Sequence, residues 1–192
     1  FSDDSNTNTV TAGGNVLLTA YDAAMITAKA SLLSTAGSTS DIGGGFNLSD
    51  SAAIGISGMV VRNDVHSDAL ATIDHAFVNA DGVALSAIEN ATITAHVEST
   101  ATASGGSAFG TGTVIAGGGA IAVNLILNGA HASIVHSDIT TMAGAISVVA
   151  SNTSTIDATV QVAANSGDSA GAVTLAFNTI GWESQALLIP FS

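Results

Sequence analysis

The chain repeats one stretch of its own sequence three times at nearly constant intervals. The interval from Val16 to Val83 is almost the same as the interval from Val83 to Ile146. A second match lies at the same distance further on in every copy, at Ile26, Ile93 and Ile156. A long repeat of this kind predicts stacked equivalent units. Proteins built in that way usually act through a length or a surface rather than through a pocket.

The repeats organise the whole chain, 1–192, as a single segment. The copies run approximately over 10–78, 79–139 and 140–180, and a divergent tail follows at 181–192. The chain does not begin with Met, and its first residues are polar and acidic. These features predict a mature or excised segment that carries no signal peptide at its start.

A late match in each copy indicates where residues have been lost. We align Ile54–Met59 with Ile121–Ile126, and Ile121–Ile126 with Leu175–Ile180. The first of these intervals equals the interval from Val16 to Val83, but the second is clearly shorter. The shorter interval predicts a deletion in the third copy, opposite the glycine-rich segment 105–112. Insertions and deletions of this kind belong in turns.

Apolar or small residues alternate with polar residues inside the copies. The alternation is clear over 93–101 and again over 156–162. A period of two is typical of a β-strand that buries one face. The alanine-rich stretch 23–33 would favour a helix by itself, but its alignment with the other copies predicts a strand. Its inward residues would then be Ile26, Ala28, Ala30 and Leu32.

These strands predict an all-β fold, a parallel β-solenoid whose narrow interior is filled by small side chains. Because a copy of about 65 residues exceeds a short coil, we expect three coils of about twenty residues in each copy and a rod on the order of 45 Å long. Glycine, Asn, Asp and Ser predict turns at 79–82, 128–129 and 165–168. The apolar run 114–130 favours a buried strand over a membrane helix. An antiparallel β-sandwich is the alternative, but it would need more hairpin signals and larger core residues.

The charge balance excludes several kinds of partner. Lys and Arg number 2 against 15 Asp and Glu, which gives a formal net charge of −13. Nucleic acid and anionic membrane surfaces both require clustered cations, so neither is expected as a partner. Cysteine is absent, so neither disulfides nor thiolate metal sites hold the fold.

Three phrases resemble the repeats of giant bacterial surface adhesins, the filamentous-haemagglutinin-like β-strand repeat proteins. They are Gly118–Ile126, Ala132–Thr140 and Ala172–Trp182. The resemblance is best over 79–182 and is lost in the segment 41–50 and the tail 186–192. It implies a secreted, cell-surface, right-handed β-helix with an adhesive or fibrous role, and it implies no catalytic residues.

Five histidines and several acidic pairs are the candidate metal ligands. His75 and His136 each follow an Ile-x pair, and repeated outward positions on a rod explain them better than a metal site does. Surface calcium is an alternative that the acidic residues leave open. The acidic residues concerned are Asp3, Asp4, Asp64, Asp68 and Asp81. We therefore predict no catalytic, cofactor-binding or metal-binding residues and no cofactor.

An enzyme acting on polysaccharide is the least favoured function. A lyase would need a basic residue, and the only candidates, Lys29 and Arg62, lie outside any cluster. A hydrolase would need two facing carboxylates, and no aromatic sugar platform accompanies Glu98 or Asp157. Ice binding would need a regular ladder of threonine pairs, whereas Thr-x-Thr is sporadic here.

The sequence therefore predicts a non-enzymatic structural or adhesive module of an extracellular or cell-surface bacterial fibre. A carbohydrate- or calcium-binding module on the same scaffold is the alternative. An acidic, polar outer face should limit lateral association. Uncapped ends should either continue into further repeats or stack end to end as a filament. Cell-surface carbohydrate or protein are further candidate partners, and no membrane span is expected.

Overall fold

The computed structural model describes residues 8–37, 52–105 and 113–181, and the regular elements among them are all β-strands. The strands are β1 (Asn8–Thr11), β2 (Val16–Asp22), β3 (Met25–Gly37), β4 (Ala52–Asp74), β5 (Ala76–Ala80), β6 (Val83–Glu89), β7 (Thr92–Ser104), β8 (Thr113–Val135), β9 (Asp138–Thr141), β10 (Ile146–Asn152), β11 (Thr155–Asn165) and β12 (Ser169–Ile180). All eight pairings between them are parallel. The predicted parallel β-solenoid is confirmed, and the antiparallel sandwich alternative is wrong.

Each sequence repeat forms one coil of four strands. The first coil contains β1–β4, the second β5–β8 and the third β9–β12, and they stack into four three-stranded sheets. Sheet A contains β1, β5 and β9, sheet B contains β2, β6 and β10, sheet C contains β3, β7 and β11, and sheet D contains β4, β8 and β12. The second coil lies between the other two in every sheet.

The expectation of nine short coils is wrong. Strands β4 and β8 are each 23 residues long, so a single circuit uses a whole sequence repeat. Three coils at the interstrand spacing of about 4.8 Å give a stack on the order of 14 Å rather than the expected rod of about 45 Å. The spacing of the sequence repeat is therefore the length of the coil itself.

The residues matched early in each sequence copy are register partners in sheets B and C. Val83 pairs with Val16 on one side and with Ile146 on the other, and Ile93 lies between Ile26 and Ile156 in the same way. Equivalent residues thus form continuous rows across the three coils. Each row presents a similar shape to its neighbours, which lets the interior pack at a constant width.

The late alignment is correct for the second and third copies but wrong for the first. Asn124 pairs with Asn178, as predicted. Its partner in the first coil is Asn63 rather than the predicted Ser57. Between the first and second copies, and again between the second and third, register partners are separated by fewer residues in sheet D than in sheet C. The predicted length change opposite 105–112 therefore lies where the chain passes from sheet C to sheet D.

Sheet D packs across a narrow interior against sheets B and C. Alanines meet across much of this interior, as where Ala69 and Ala71 contact Ala87. The backbones approach so closely that a side chain at Gly55 would place its Cβ 2.6 Å from the carbonyl oxygen of Thr102. A Cβ at Gly118 would lie 2.7 Å from Cγ1 of Val162. The predicted small-residue interior is thus a steric requirement.

Strand β3 confirms the assignment made for the alanine-rich stretch, since Ile26, Ala28, Ala30 and Leu32 alternate as its less exposed residues. The apolar run 114–130 lies within β8, as predicted. The turn predicted at 128–129 is wrong, because both residues lie inside that strand. The segment 165–168 does connect β11 to β12. Within the described part of the chain, no helix is long and apolar enough to cross a membrane.

The outer face of sheet D does not match the expected polar surface. Its first half carries exposed apolar side chains in all three coils, so the prediction of a uniformly polar, acidic exterior is wrong. They include Ile54, Ile56, Val60, Ile115, Val173, Leu175 and Phe177. The second half of the same face carries charged residues, beginning at Arg62 and Asp64, and two of the five histidines, His66 and His131.

Candidate functional site: a histidine and aspartate corner

The corner between sheets D and A brings together two histidines and one aspartate. His75 is the single residue between β4 and β5, and His136 begins the equivalent turn between β8 and β9. Both have positive φ, 49° for His75 and 46° for His136. This left-handed conformation is uncommon for residues other than glycine, although Asn, Asp and His adopt it more often than most. The chain therefore turns this corner twice on a histidine where glycine would cause less strain.

The two imidazoles stack and share one carboxylate. Their ring centroids lie 4.7 Å apart with an interplanar angle of 25°. Asp74 Oδ1 lies 2.8 Å from Nδ1 of His75 and 3.4 Å from Nδ1 of His136. Asp74 is half exposed, so the cluster opens to solvent. The sequence prediction that the histidines occupy repeated positions is confirmed, but they form one cluster that also includes an aspartate.

Backbone hydrogen bonds fix this corner from both sides. The amide of His75 donates to the carbonyl of Val135 at 3.2 Å, and its own carbonyl accepts from the amide of Asn8 at 3.3 Å. Ser137 accepts from the amide of Ala76 through Oγ at 3.1 Å and donates to the carbonyl of Val135 at 2.7 Å. The two histidines are therefore held at consecutive coils, one strand spacing apart.

The remaining histidines do not join this cluster. His66 contacts Asp64 Oδ1 through Nε2 at 2.7 Å, and Arg62 donates to the other oxygen of Asp64 at 2.7 Å. His131 lies over Gly129 beside Asp68, since a Cβ at that glycine would meet both side chains within 2.8 Å. His96 lies on sheet C, between Lys29 and Thr159.

The acidic residues considered for calcium do not form a shared oxygen site in the described segments. Asp64 and Asp68 are four residues apart on one strand, which separates them by about 13 Å. Asp81 lies in the turn after β5, and Asp3 and Asp4 lie outside the described residues. In those segments, Asp74, His75 and His136 are the one group of three potential metal-ligating side chains, with ligand atoms within 4.8 Å of one another.

The candidate catalytic residues are also dispersed. Lys29, Glu98 and Asp157 are on sheet C, whereas Arg62 is on sheet D. Asp157 pairs with Thr94, four residues before Glu98, which separates the Cα atoms of Asp157 and Glu98 by more than about 13 Å, and both side chains extend outward from the sheet. A glycosidase pair requires about 5 to 9.5 Å, so these carboxylates do not form one.

Polar side chains also line two rows inside the solenoid. Asn63 donates to Asn124 Oδ1 at 2.7 Å, and Asn124 donates to Asn178 Oδ1 at 2.8 Å, which joins the three coils through one asparagine row. Glu89 is 0% exposed, and its Oε1 accepts from Ser67 at 2.9 Å and from Asn128 at 3.0 Å. Its second oxygen has no hydrogen-bond partner among the described residues.

Comparison with known proteins adds no family assignment. No protein-family model matches the chain, and neither a curated protein nor a solved structure gives a match.

Proposed function

We propose that this chain is a rod-forming segment of an extracellular fibre or giant bacterial surface adhesin, acting as a scaffold rather than as an enzyme. In this proposal the coils seen here are extended by further coils of the same kind, supplied by the same chain or by another copy. The resemblance of three sequence phrases to surface adhesin repeats supports the extracellular location. The fold itself supports the extension of the rod.

The observation that carries the proposal is the contrast between identical residues in one row. Ile93 in the second coil is 0% exposed, whereas Ile26 and Ile156 in the outer coils remain partly exposed. The outer coils of the described segments therefore present a partly exposed interior and unpaired strand edges. Such edges are ready to pair with another chain, and solenoids normally cover or extend them.

The asparagine row supports a direction for extension. Each amide donates to the next coil, from Asn63 through Asn124 to Asn178. A following coil with an asparagine at this position would accept from Asn178 in the same way. If that coil is the first coil of a second copy, its acceptor is Asn63. This contact is head to tail and repeats without closing, which generates a filament.

The test is to change an inward residue on the exposed edge of the third coil. We expect the purified chain to form elongated particles whose mass rises with concentration in analytical ultracentrifugation, visible as rods by electron microscopy. Ile156→Lys should abolish them, because it places a charge at the stacking edge. Gln161→Lys is the matched control, since it adds the same charge to the outward face of β11.

Hydrogen exchange distinguishes extension by further repeats of the same chain from extension by a second copy. A monomer whose outer coils exchange much faster than the second coil would support extension by further repeats of a longer chain. A strict monomer whose outer coils are as well protected as the second coil would contradict the proposal.

A further inference from the structure

We infer that Asp74, His75 and His136 form a binding site for a divalent transition metal of the zinc type. The site spans two consecutive corners of the solenoid, so the ion would join the end of the first coil to the end of the second. The inference is independent of the proposed extracellular role. It rests on the chemistry, the distances and the backbone conformation of these three residues.

The ligand chemistry selects the class of metal. Two imidazole nitrogens and one carboxylate oxygen suit zinc, copper or nickel, whereas calcium and magnesium prefer oxygen ligands throughout. Catalytic zinc sites commonly use three protein ligands and leave the fourth position to water. The half-exposed position of Asp74 leaves room for that fourth ligand.

The two distances from the carboxylate to the imidazoles fit a tetrahedral ion, and all three ligand atoms lie within 4.8 Å of one another. With bonds of about 2.0 to 2.1 Å, neighbouring ligand atoms in a tetrahedral zinc site lie about 3.3 Å apart. Asp74 Oδ1 lies 2.8 Å and 3.4 Å from the two Nδ1 atoms, which brackets that value. The ion would replace the two contacts with the carboxylate. The rings are stacked with their planes 25° apart, so they must rotate out of the stack to direct both Nδ1 lone pairs at one ion, and their exposure permits this movement.

The backbone is arranged before any ion binds. His75 and His136 adopt a left-handed conformation at equivalent corners, and strain of this kind is concentrated at functional sites. Their separation is fixed by the strand pairing that leads into each corner, where Asp74 pairs with Val135. The ordering of the ligands is thus supplied by the fold, which lowers the entropic cost of binding.

The test is zinc titration of the full chain by isothermal calorimetry, with Co²⁺ absorption to report tetrahedral geometry. We expect one ion per chain and visible Co²⁺ bands. His75→Asn and His136→Asn should each weaken binding by more than about 100-fold, because they remove a direct ligand. Asparagine tolerates the left-handed conformation, so these variants should keep the corner folded. Asp74→Asn, which leaves both histidines in place, should also weaken binding.

Two controls show whether the effect belongs to this corner. His96→Asn removes one histidine from sheet C, and His131→Asn removes the histidine beside Asp68. Both should leave zinc affinity within about twofold, and calcium should not compete. Equal loss in the control and corner variants would overturn the inference by showing diffuse surface binding. Unchanged affinity in both corner variants, with circular dichroism confirming the fold, would overturn it as well.

Discussion

The second and third coils have nearly the same sequence pattern but very different surroundings. Leu85 in the second coil is 1% exposed, whereas its register partner Val148 in the third coil is 45% exposed. The two residues occupy the same inward row of the solenoid. The difference arises because the second coil has a neighbour on each side, and the third has one among the described residues.

This contrast shows that burial in a solenoid comes from stacking rather than from the single coil. A coil has a thin interior of small residues and cannot exclude water from its own edge. Nearest-neighbour contacts therefore supply much of the stability, as expected for repeat proteins. A substitution should matter most in the second coil and least where the row ends, unless another coil covers that end.

The isoleucine row tests this contrast with the largest expected effect. Ile93→Ala should reduce the free energy of unfolding by about 2 to 5 kcal/mol, because it removes a fully buried side chain and leaves a cavity. Ile156→Ala makes the same change in the third coil, where water already reaches the site, and should cost about 1 kcal/mol. Urea denaturation of the dilute chain measures both.

The comparison also depends on assembly. If coils of another copy cover the third coil, the cost of Ile156→Ala should rise toward that of Ile93→Ala as concentration increases. Equal costs for the two variants in a dilute monomer would show that the outer coil is already covered. The contrast between the coils would then be lost.

The sequence predicted the strand register of sheets B and C well because similar residues stack on one another there, but it missed the register of β4 against β8. Val16, Val83 and Ile146 could be aligned from the printed sequence, and they pair directly in sheet B. The coil length was predicted wrongly, because strands of 23 residues let one circuit use a whole repeat. The turn at 128–129 was also predicted wrongly, because Asn128 and Gly129 are typical turn residues and yet lie within β8. Nothing in a local pattern distinguishes a turn from a strand glycine that allows close side-chain approach.

The candidate site could be predicted only in part. Equivalent positions after an Ile-x pair identified His75 and His136 as a repeated pair. The predicted three coils per copy would have separated them by three coils, and only the single coil per copy seen in the structure makes them neighbours. Asp74 could not be found in this way, because its register partner is the apolar Val135. A ligand that occurs in only one copy leaves no signal in a repeat alignment. The left-handed corners also depend on the backbone path rather than on residue type.

The asparagine row should show the same contrast between coils with a smaller effect. Asn124→Ala leaves a donor on Asn63 and an acceptor on Asn178 without their partners, and should cost about 2 kcal/mol. Asn178→Ala takes the acceptor from the Asn124 amide, but position 178 is exposed and water can replace the lost oxygen there, so it should cost less than about 1 kcal/mol. Thermal unfolding followed by circular dichroism compares the two variants. A larger cost for Asn178→Ala would mean that this end of the row is buried.

The last prediction concerns Glu89, and its effect has the opposite sign. Its carboxylate is fully buried, one oxygen has no partner among the described residues, and the adjacent position in the first coil is Asp22. A second carboxylate one strand spacing away adds repulsion to the cost of burial. Glu89→Gln keeps an acceptor for Ser67 and Asn128 but removes the charge, so it should stabilise the fold by about 1 kcal/mol.

Asp22→Asn is the matched control for this change, because Asp22 is only partly buried and should respond less. Chemical denaturation of the two variants decides the point. A destabilised Glu89→Gln protein would contradict the prediction, because it would mean that losing the charge and burying the new amide N–H groups cost more than removing the buried charge gains.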